Sequence, residues 1–193
     1  VGKVVMYNVV SVDGFVADAH DRPGPLFDWY VNGDVPLDES GALTVSRTSH
    51  DYIRPFWDEI GASVFGRHVF DMTGGWGATP PGGVDHAVIV THRQAPEGWD
   101  AEAPFHFVDG IEAAMATAQE LAGDRTVAVA AGDVGGQVFA AGLVDEVRMD
   151  VAPVVLGSGK RYFGSVDTQH LLEDLDAVVR GDRVLHLRYR VRR

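Results

Sequence analysis

The sequence predicts an α/β fold in which a mostly parallel, mixed sheet is flanked by helices and closed by a C-terminal antiparallel hairpin. Three observations carry this. Residues 126–130 (TVAVA) form a short β-prone run that leads through a glycine-rich turn into a helix from about Asp133, the pattern of a buried parallel strand and its crossover. Strand-like and helix-like segments alternate before that point, which favours a parallel sheet. At the C-terminal end, 177–180 and 184–191 flank Gly181-Asp182, and Leu185, Leu187, Tyr189 and Val191 alternate with His186, Arg188 and Arg190, as in a hairpin strand with one wet face.

Taken in order, residues 3–10 (KVVMYNVV) read as a first strand that delivers Ser11 and Asp13 to the sheet edge. Residues 18–46 carry proline and glycine without a sustained period, so a long loop with a short helix around 27–31 is expected. Ser49 is positioned to cap a helix running to about Ile60, because Tyr52, Ile53, Phe56, Trp57 and Ile60 recur at helical spacing. Strands at 62–65 and 86–91 follow. A helix from Asp109 or Gly110 presents Ile111, Ala114, Met115, Ala118 and Leu121 on one face and stops at Gly123. An apolar strand over 151–156 precedes the glycine turn at 157–159.

The chain has 193 residues, 46% of them hydrophobic, enough for one buried α/β domain and short for two, so a single domain over 1–193 is expected. A formal charge of −12 disfavours nucleic-acid partners, since the average field repels a polyanion. No run of about 18 apolar residues and no basic leader argues for a membrane or secretory route. Together with the absence of cysteine, this makes a cytoplasmic location the expectation. An anionic ligand then needs local cations. Arg67, Arg93, Lys160 and Arg161 each follow an apparent strand end or glycine turn, where open α/β sheets bind ligands.

The glycine turn has two readings. Free N–H groups at a helix start attract phosphate, and Gly132, Gly135 and Gly136 leave room for its approach. A tight turn packed against its own sheet asks for the same glycines. Other chemistries fail on spacing: 157–164 (GSGKRYFG) has Tyr162 where a dinucleotide fingerprint needs a third glycine and Arg161 where a Walker loop needs Ser or Thr. No H-E-x-x-H, no thiolate zinc site, no zinc-deaminase signature and no G-x-S-x-G elbow occurs. No metal site is expected.

Four segments in the same order along the chain carry a family resemblance. GLVDEVRMDVAPVVLGSGKRYF (142–163), SVDGFVA (11–17), VFGRHVFD (64–71) and HAVIVTHR (86–93) resemble the dihydrofolate reductase-like superfamily, specifically the reductase (C-terminal) domain of the riboflavin-biosynthesis deaminase/reductases. The resemblance implies a three-layer dihydrofolate reductase-like fold, a homodimer, and an NADPH-dependent reductase of a ribosylamino-pyrimidine or a related small imine or carbonyl. It places the cofactor against Gly66 and Arg67, against Thr91, His92 and Arg93, and against Ala131, Gly132, Asp133, Val134 and Gly135. Lys160 or Arg161 would hold a substrate phosphate. Asp13, in the S-x-D-G turn, and Asp28, in FDWY, are the carboxylates expected to anchor or protonate the substrate; Asp-Gly is also a favoured turn dipeptide whatever the function.

The chain departs from the family pattern at two positions. Ala130-Ala131-Gly132 stands where a Gly-Gly pair is usual, and Val69 replaces a threonine. A methyl at Ala131 is expected to narrow the diphosphate space, and Val69 has no hydroxyl to donate. These departures keep open a competing class, a ligand-binding relic of the fold without turnover. Dihydrofolate as substrate would need a clamp for its glutamate, and none is evident.

Overall fold

The computed structural model describes residues 2–192. In chain order the strands are β1 (Val4–Ser11), β2 (Phe15–Ala17), β3 (Val35–Pro36), β4 (Thr44–Val45), β5 (Ile60–Gly66), β6 (His86–Val90), β7 (Phe105–Val108), β8 (Thr126–Ala130), β9 (Glu146–Ala152), β10 (Lys160–Arg161), β11 (Leu172–Arg180) and β12 (Leu185–Val191). The helices are α1 (Arg47–Glu59), α2 (Arg67–Met72), α3 (Ile111–Ala122) and α4 (Asp133–Ala140), with a 3-10 helix at Gly24–Val31. Eight strands form one sheet in the order β11-β12-β9-β1-β8-β5-β6-β7. Neighbours from β9 to β7 run parallel, and β12 and β11 are antiparallel, as the sequence predicts.

Alternation along β1 sorts the two layers around the sheet. Val4, Met6 and Val10 face a core shared with Ala114, Met115 and Ala118 of α3 and Val138 and Phe139 of α4. Val5 turns the other way, onto Phe56 of α1, and Val9 onto Leu26 and Trp29 of the 3-10 helix. Helices therefore cover both faces, which is why the parallel strands carry near-continuous apolar runs.

Three sequence expectations change. Ser46, not Ser49, caps α1, its hydroxyl accepting from the Ser49 amide at 3.2 Å; Ser49 lies inside the first turn and points into the core. The apolar strand expected over 151–156 ends at Ala152, because Pro153 has no N–H to continue the ladder. The polar face of the C-terminal hairpin is not wet at its start: His186 is 0% exposed, since α1 and the 3-10 helix lie over it. The strand β7 and the small β2–β10 ribbon leave no mark in the sequence periodicity.

That covered face holds a polar chain. Asp150 is 1% exposed and accepts two hydrogen bonds, from Tyr7 Oη at 2.6 Å and from His186 Nδ1 at 2.5 Å. His186 Nε2 meets Ser49 Oγ at 2.8 Å, and Tyr7 Oη meets Tyr30 Oη at 3.3 Å. Burial, followed by the neighbouring Asp150 charge, pushes the Tyr7 and Tyr30 phenols up, so both stay neutral donors. Farther along β9, the buried Arg148 guanidinium lies 4.1 Å over the Phe56 ring and 3.5 Å from Glu146, which also takes Lys3 Nζ at 2.8 Å.

Asp150→Ala leaves the buried Tyr7 hydroxyl and His186 Nδ1 without their shared acceptor, so it is expected to cost about 2–5 kcal/mol of unfolding free energy. Tyr7→Phe is expected to cost about 2 kcal/mol. Urea unfolding measures both; a loss below about 1 kcal/mol for Asp150→Ala would show that the network carries little of the stability.

Candidate functional site

Because β1, β8, β5 and β6 are parallel, their C-terminal ends open at one edge of the sheet. The segments that leave these four ends make up the candidate site: the Ser11–Gly14 turn, the Ala131–Gly135 start of α4, Gly66 with Arg67, and Thr91 with His92 and Arg93. The crevice beyond strand carboxyl ends is where open α/β sheets take ligands.

At the end of β1, Ser11 Oγ donates to Asp13 Oδ1 at 2.6 Å and accepts from the Phe15 amide at 2.9 Å. Both Asp13 oxygens also accept amides from a distant part of the chain, Leu156 at 3.1 Å and Gly157 at 2.7 Å. The Ser11 hydroxyl, then these amides, hold the Asp13 carboxyl below the usual aspartate range. Gly14 takes a φ of 90° and its carbonyl accepts the Tyr162 amide at 2.9 Å. The first turn is thus fastened to the returning segment that carries Lys160 and Arg161.

The glycine turn divides between its two readings. A Cβ on Gly135 would stand 2.5 Å from the Ala130 carbonyl oxygen, and one on Gly136 2.2 Å from that of Phe163. Both glycines are required by packing. Gly132 differs: its φ is 110°, and although the residue itself is buried, nothing lies within 4 Å of the missing Cβ, so the space at that one position is open. Its own N–H donates to the Tyr162 carbonyl at 2.8 Å, which leaves the succeeding amides as the donors at the start of α4. The Ala131 methyl packs on the main core cluster.

Arg67 and Arg93 meet on one carboxylate. Arg67 Nε donates to Asp71 Oδ1 at 2.7 Å and Arg93 Nη2 to Asp71 Oδ2 at 2.7 Å, and these bonds, Arg67's first, lower the Asp71 pKa. Arg67 is further held by the Gln94 carbonyl at 2.9 Å and lies 5.6 Å over Phe70 and 5.8 Å over Phe107. Two guanidiniums against one carboxylate leave a net positive group at the ends of β5 and β6. Thr91 Oγ1 accepts the Arg93 amide at 3.0 Å, and His92 pairs with Asp109.

Of the remaining predicted residues, Lys160 and Arg161 are carried on β10, which pairs with β2. Lys160 Nζ is 3.6 Å from Asp21 Oδ1, and Arg161 is exposed. Asp28 is exposed on the 3-10 helix, whose Leu26 and Trp29 are buried against β1 and β9. Sequence reasoning missed Asp71, Asp21 and His68. Arg67 and Asp71 sit four apart, a helical ion-pair spacing legible in the sequence; Asp21 and His68 meet only through tertiary structure. A surface hollow of about 610 Å³ lies at the opposite edge, lined by Gly2, Lys3, Val4, Gln119, Gly142, Leu143 and Asp145, and contains none of these groups. Among the described residues no cluster of three or more His, Asp or Glu side chains is placed to hold a metal ion, and no helix is long and apolar enough to cross a membrane.

The chain matches the family described as RibD C-terminal domain over residues 2–186. Among solved structures it is similar to a putative riboflavin biosynthesis protein from Shewanella sp. PV-4, with a TM-score of 0.70, 16% identity and 100% of both chains covered. It is similar to a diaminohydroxyphosphoribosylaminopyrimidine deaminase/5-amino-6-(5-phosphoribosylamino)uracil reductase from Thermotoga maritima at a TM-score of 0.62 and 13% identity, covering 99% of this chain and 57% of that one. The chain therefore spans little more than half of that two-activity protein. Dihydrofolate reductase from Enterococcus faecalis, complexed with NADP(H), superposes at a TM-score of 0.56 and 13% identity over 100% of this chain and 98% of that one. At these identities the likeness is one of fold, and the fold is dihydrofolate reductase-like. No curated protein matches by sequence.

A carboxyl whose folded pKa is depressed contributes stability that is in place above its unfolded pKa and is lost as pH falls through the folded value. The Leu156 and Gly157 amides are therefore expected to stay protected from hydrogen exchange at neutral and mildly acidic pH, and to lose protection only below the usual aspartate range. Loss of protection at or above that range would show that Asp13 is not what holds them.

Proposed function

Because this chain belongs to the RibD C-terminal domain family, we propose that it is a reductase that takes NADPH and reduces a ribosylamino-pyrimidine of the 5-amino-6-(5-phosphoribosylamino)uracil type, or a related small imine or carbonyl. The observation that carries the reading is the convergence, at one sheet edge, of an open glycine turn with the Arg67–Asp71–Arg93 cluster. The residues present suit a dinucleotide. Gly132 leaves the space that a Cβ would fill, so a diphosphate can approach the main chain at the start of α4. The guanidinium pair offers planar donors to a 2′-phosphate, with Arg93 the exposed member. Ala131 packs away on the core, which relieves the narrowing expected of its methyl.

When bound, the nicotinamide supplies the hydride. The protein's work is to hold the partners. Thr91, His92 and Arg93 serve the adenosine end, Gly66 and Arg67 the adjoining phosphate, and Asp133, Val134 and Gly135 the diphosphate. Arg161, exposed on β10, supplies the cation for the phosphate of the substrate. Asp28, exposed and uncommitted to any other side chain among the described residues, is assigned to anchoring or protonating the substrate nitrogen. Asp13 has both oxygens committed to Ser11, Leu156 and Gly157, so it acts by positioning the segment that carries Lys160 and Arg161. A homodimer through the C-terminal hairpin is part of the proposal: β11 ends the sheet with a free edge, and Leu171, Leu175, Val178 and Leu185 are exposed there.

Calorimetric titration is expected to show NADPH bound more tightly than NADH, with Arg93→Ala weakening NADPH about tenfold and leaving NADH nearly unchanged. Equal affinity for the two cofactors would remove the 2′-phosphate assignment.

With a confirmed substrate, Asp28→Asn is expected to lower kcat/KM by about a hundredfold at unchanged NADPH affinity. Wild-type turnover in that variant would place the anchor elsewhere, and NADPH binding without turnover of any imine or carbonyl would favour the relic class that Val69 keeps open. Sedimentation is expected to give a dimer at micromolar concentration, and a monomer would remove the hairpin interface.

A further inference from the structure

Asp21 sits on a short turn that closes on itself. Asp18 accepts the His20 and Arg22 amides at 2.7 and 3.0 Å, and its own amide donates to the Arg22 carbonyl at 2.8 Å. Within this brace Asp21 adopts a φ of 63°, a left-handed conformation uncommon outside glycine and tolerated by Asp and Asn. The turn therefore holds the Asp21 carboxylate outward as one rigid piece, and groups from two other elements receive it. His68 Nε2 is 2.9 Å from Oδ2, and Lys160 Nζ is 3.6 Å from Oδ1.

The topology gives that contact its meaning. The Asp21 turn comes after β1 and β2, while His68 is the second residue of α2, which comes after β5. In the sheet β8 lies between β1 and β5, and the segments that carry the two receiving groups flank the start of α4: a Cβ on Gly66, two residues before His68, would meet Val134 at 3.1 Å, and the carbonyl of Tyr162, two residues after Lys160, accepts the Gly132 amide at 2.8 Å. Lys160 arrives beside Asp21 because β10 pairs with β2, and Gly159 packs so closely on Ala17 that a Cβ there would stand 2.0 Å from its carbonyl oxygen. A carboxylate and the groups that grip it thus sit on the segments that adjoin the proposed diphosphate cradle.

We propose that Asp21 is an internal anion that occupies His68 and Lys160 in the free protein and is displaced by the diphosphate of an incoming ligand, so that the turn at 18–22 is a strap over the cradle. The ligand class rests on the dinucleotide reading above. A diphosphate brings more charge and more acceptor oxygens than one carboxylate, so it competes for the same two donors. His68 Nε2, 2.9 Å from the carboxylate, is placed to donate to either partner. While the strap is closed, the apparent dissociation constant is raised by the inverse of the open fraction.

The test is a double-mutant cycle read by calorimetric binding of inorganic pyrophosphate and of NADPH. Asp21→Asn keeps size and the left-handed backbone and removes the charge. It is expected to tighten both ligands about tenfold, the value for a strap that is closed about nine-tenths of the time. In a His68→Ala/Lys160→Met background the same substitution is expected to change affinity less than about twofold, because nothing is left to unmask. Unchanged or weaker pyrophosphate binding in Asp21→Asn overturns the strap. So does an equal gain in both backgrounds, which would be a general field effect of removing one negative charge. If pyrophosphate shows the expected pattern while NADPH binds none of the proteins, the strap stands and the dinucleotide reading falls.

Discussion

A carboxylate at 1% exposure is tolerable only where donors reach it, and Asp150 has two, on different strands. Tyr7 brings β1 to it and His186 brings β12, so one buried charge joins the parallel part of the sheet to the antiparallel hairpin. The chain of hydrogen bonds continues outward through Ser49 into α1 and through Tyr30 into the 3-10 helix. Ser49, His186 and Asp150 have the bond order of an acyl-transfer triad, but Ser49 is 1% exposed and no substrate reaches it. The same hydrogen bonds serve here as a brace that fixes two covering elements to the sheet.

From that brace the site is built by geometry. With β1 held to β9, its end presents Ser11 and Asp13 to the Leu156–Gly157 amides, and the returning segment then places Lys160 and Tyr162. The Tyr162 hydroxyl donates to the Met6 and Arg148 carbonyls at 3.1 and 2.7 Å, and its own carbonyl takes the Gly132 amide. A single buried tyrosine therefore ties β1 and β9 to the glycine turn. Parallel order does the rest, since the ends of β5, β6 and β8 can open only at the same edge as the end of β1. Specificity is added by side chains whose partners lie far apart in sequence: Arg93 on Asp71 beside Arg67, and His68 and Lys160 on Asp21.

Local signals made the architecture legible. The TVAVA run, the stripe from Ile111 to Leu121 and the alternation through 185–191 each state their element within a window of about ten residues. The glycine turn was legible as a turn, but its residues could not be told apart, because Gly135 and Gly136 answer to the Ala130 and Phe163 carbonyls and only at Gly132 is the space of the missing Cβ open. His186 and Arg188 read as solvent-facing because alternation reports which residues share a face and is silent on what covers that face. Asp13 read as a candidate acid from its motif, and its amide partners lie 143 and 144 residues away. The strap was invisible for the same reason: its three groups belong to segments that meet only once the sheet is built.

If the ligand edge is the one where β1, β8, β5 and β6 end, backbone amide chemical shifts should report it during titration with NADPH. Perturbations are then expected to concentrate at Arg67, at Thr91 to Arg93 and at Gly132 to Gly135, with the opposite edge silent. Perturbations centred instead on Gly2 to Val4 and Gly142 to Asp145, around the hollow at that opposite edge, would refute the placement, as would a saturating ligand that moves none of these amides.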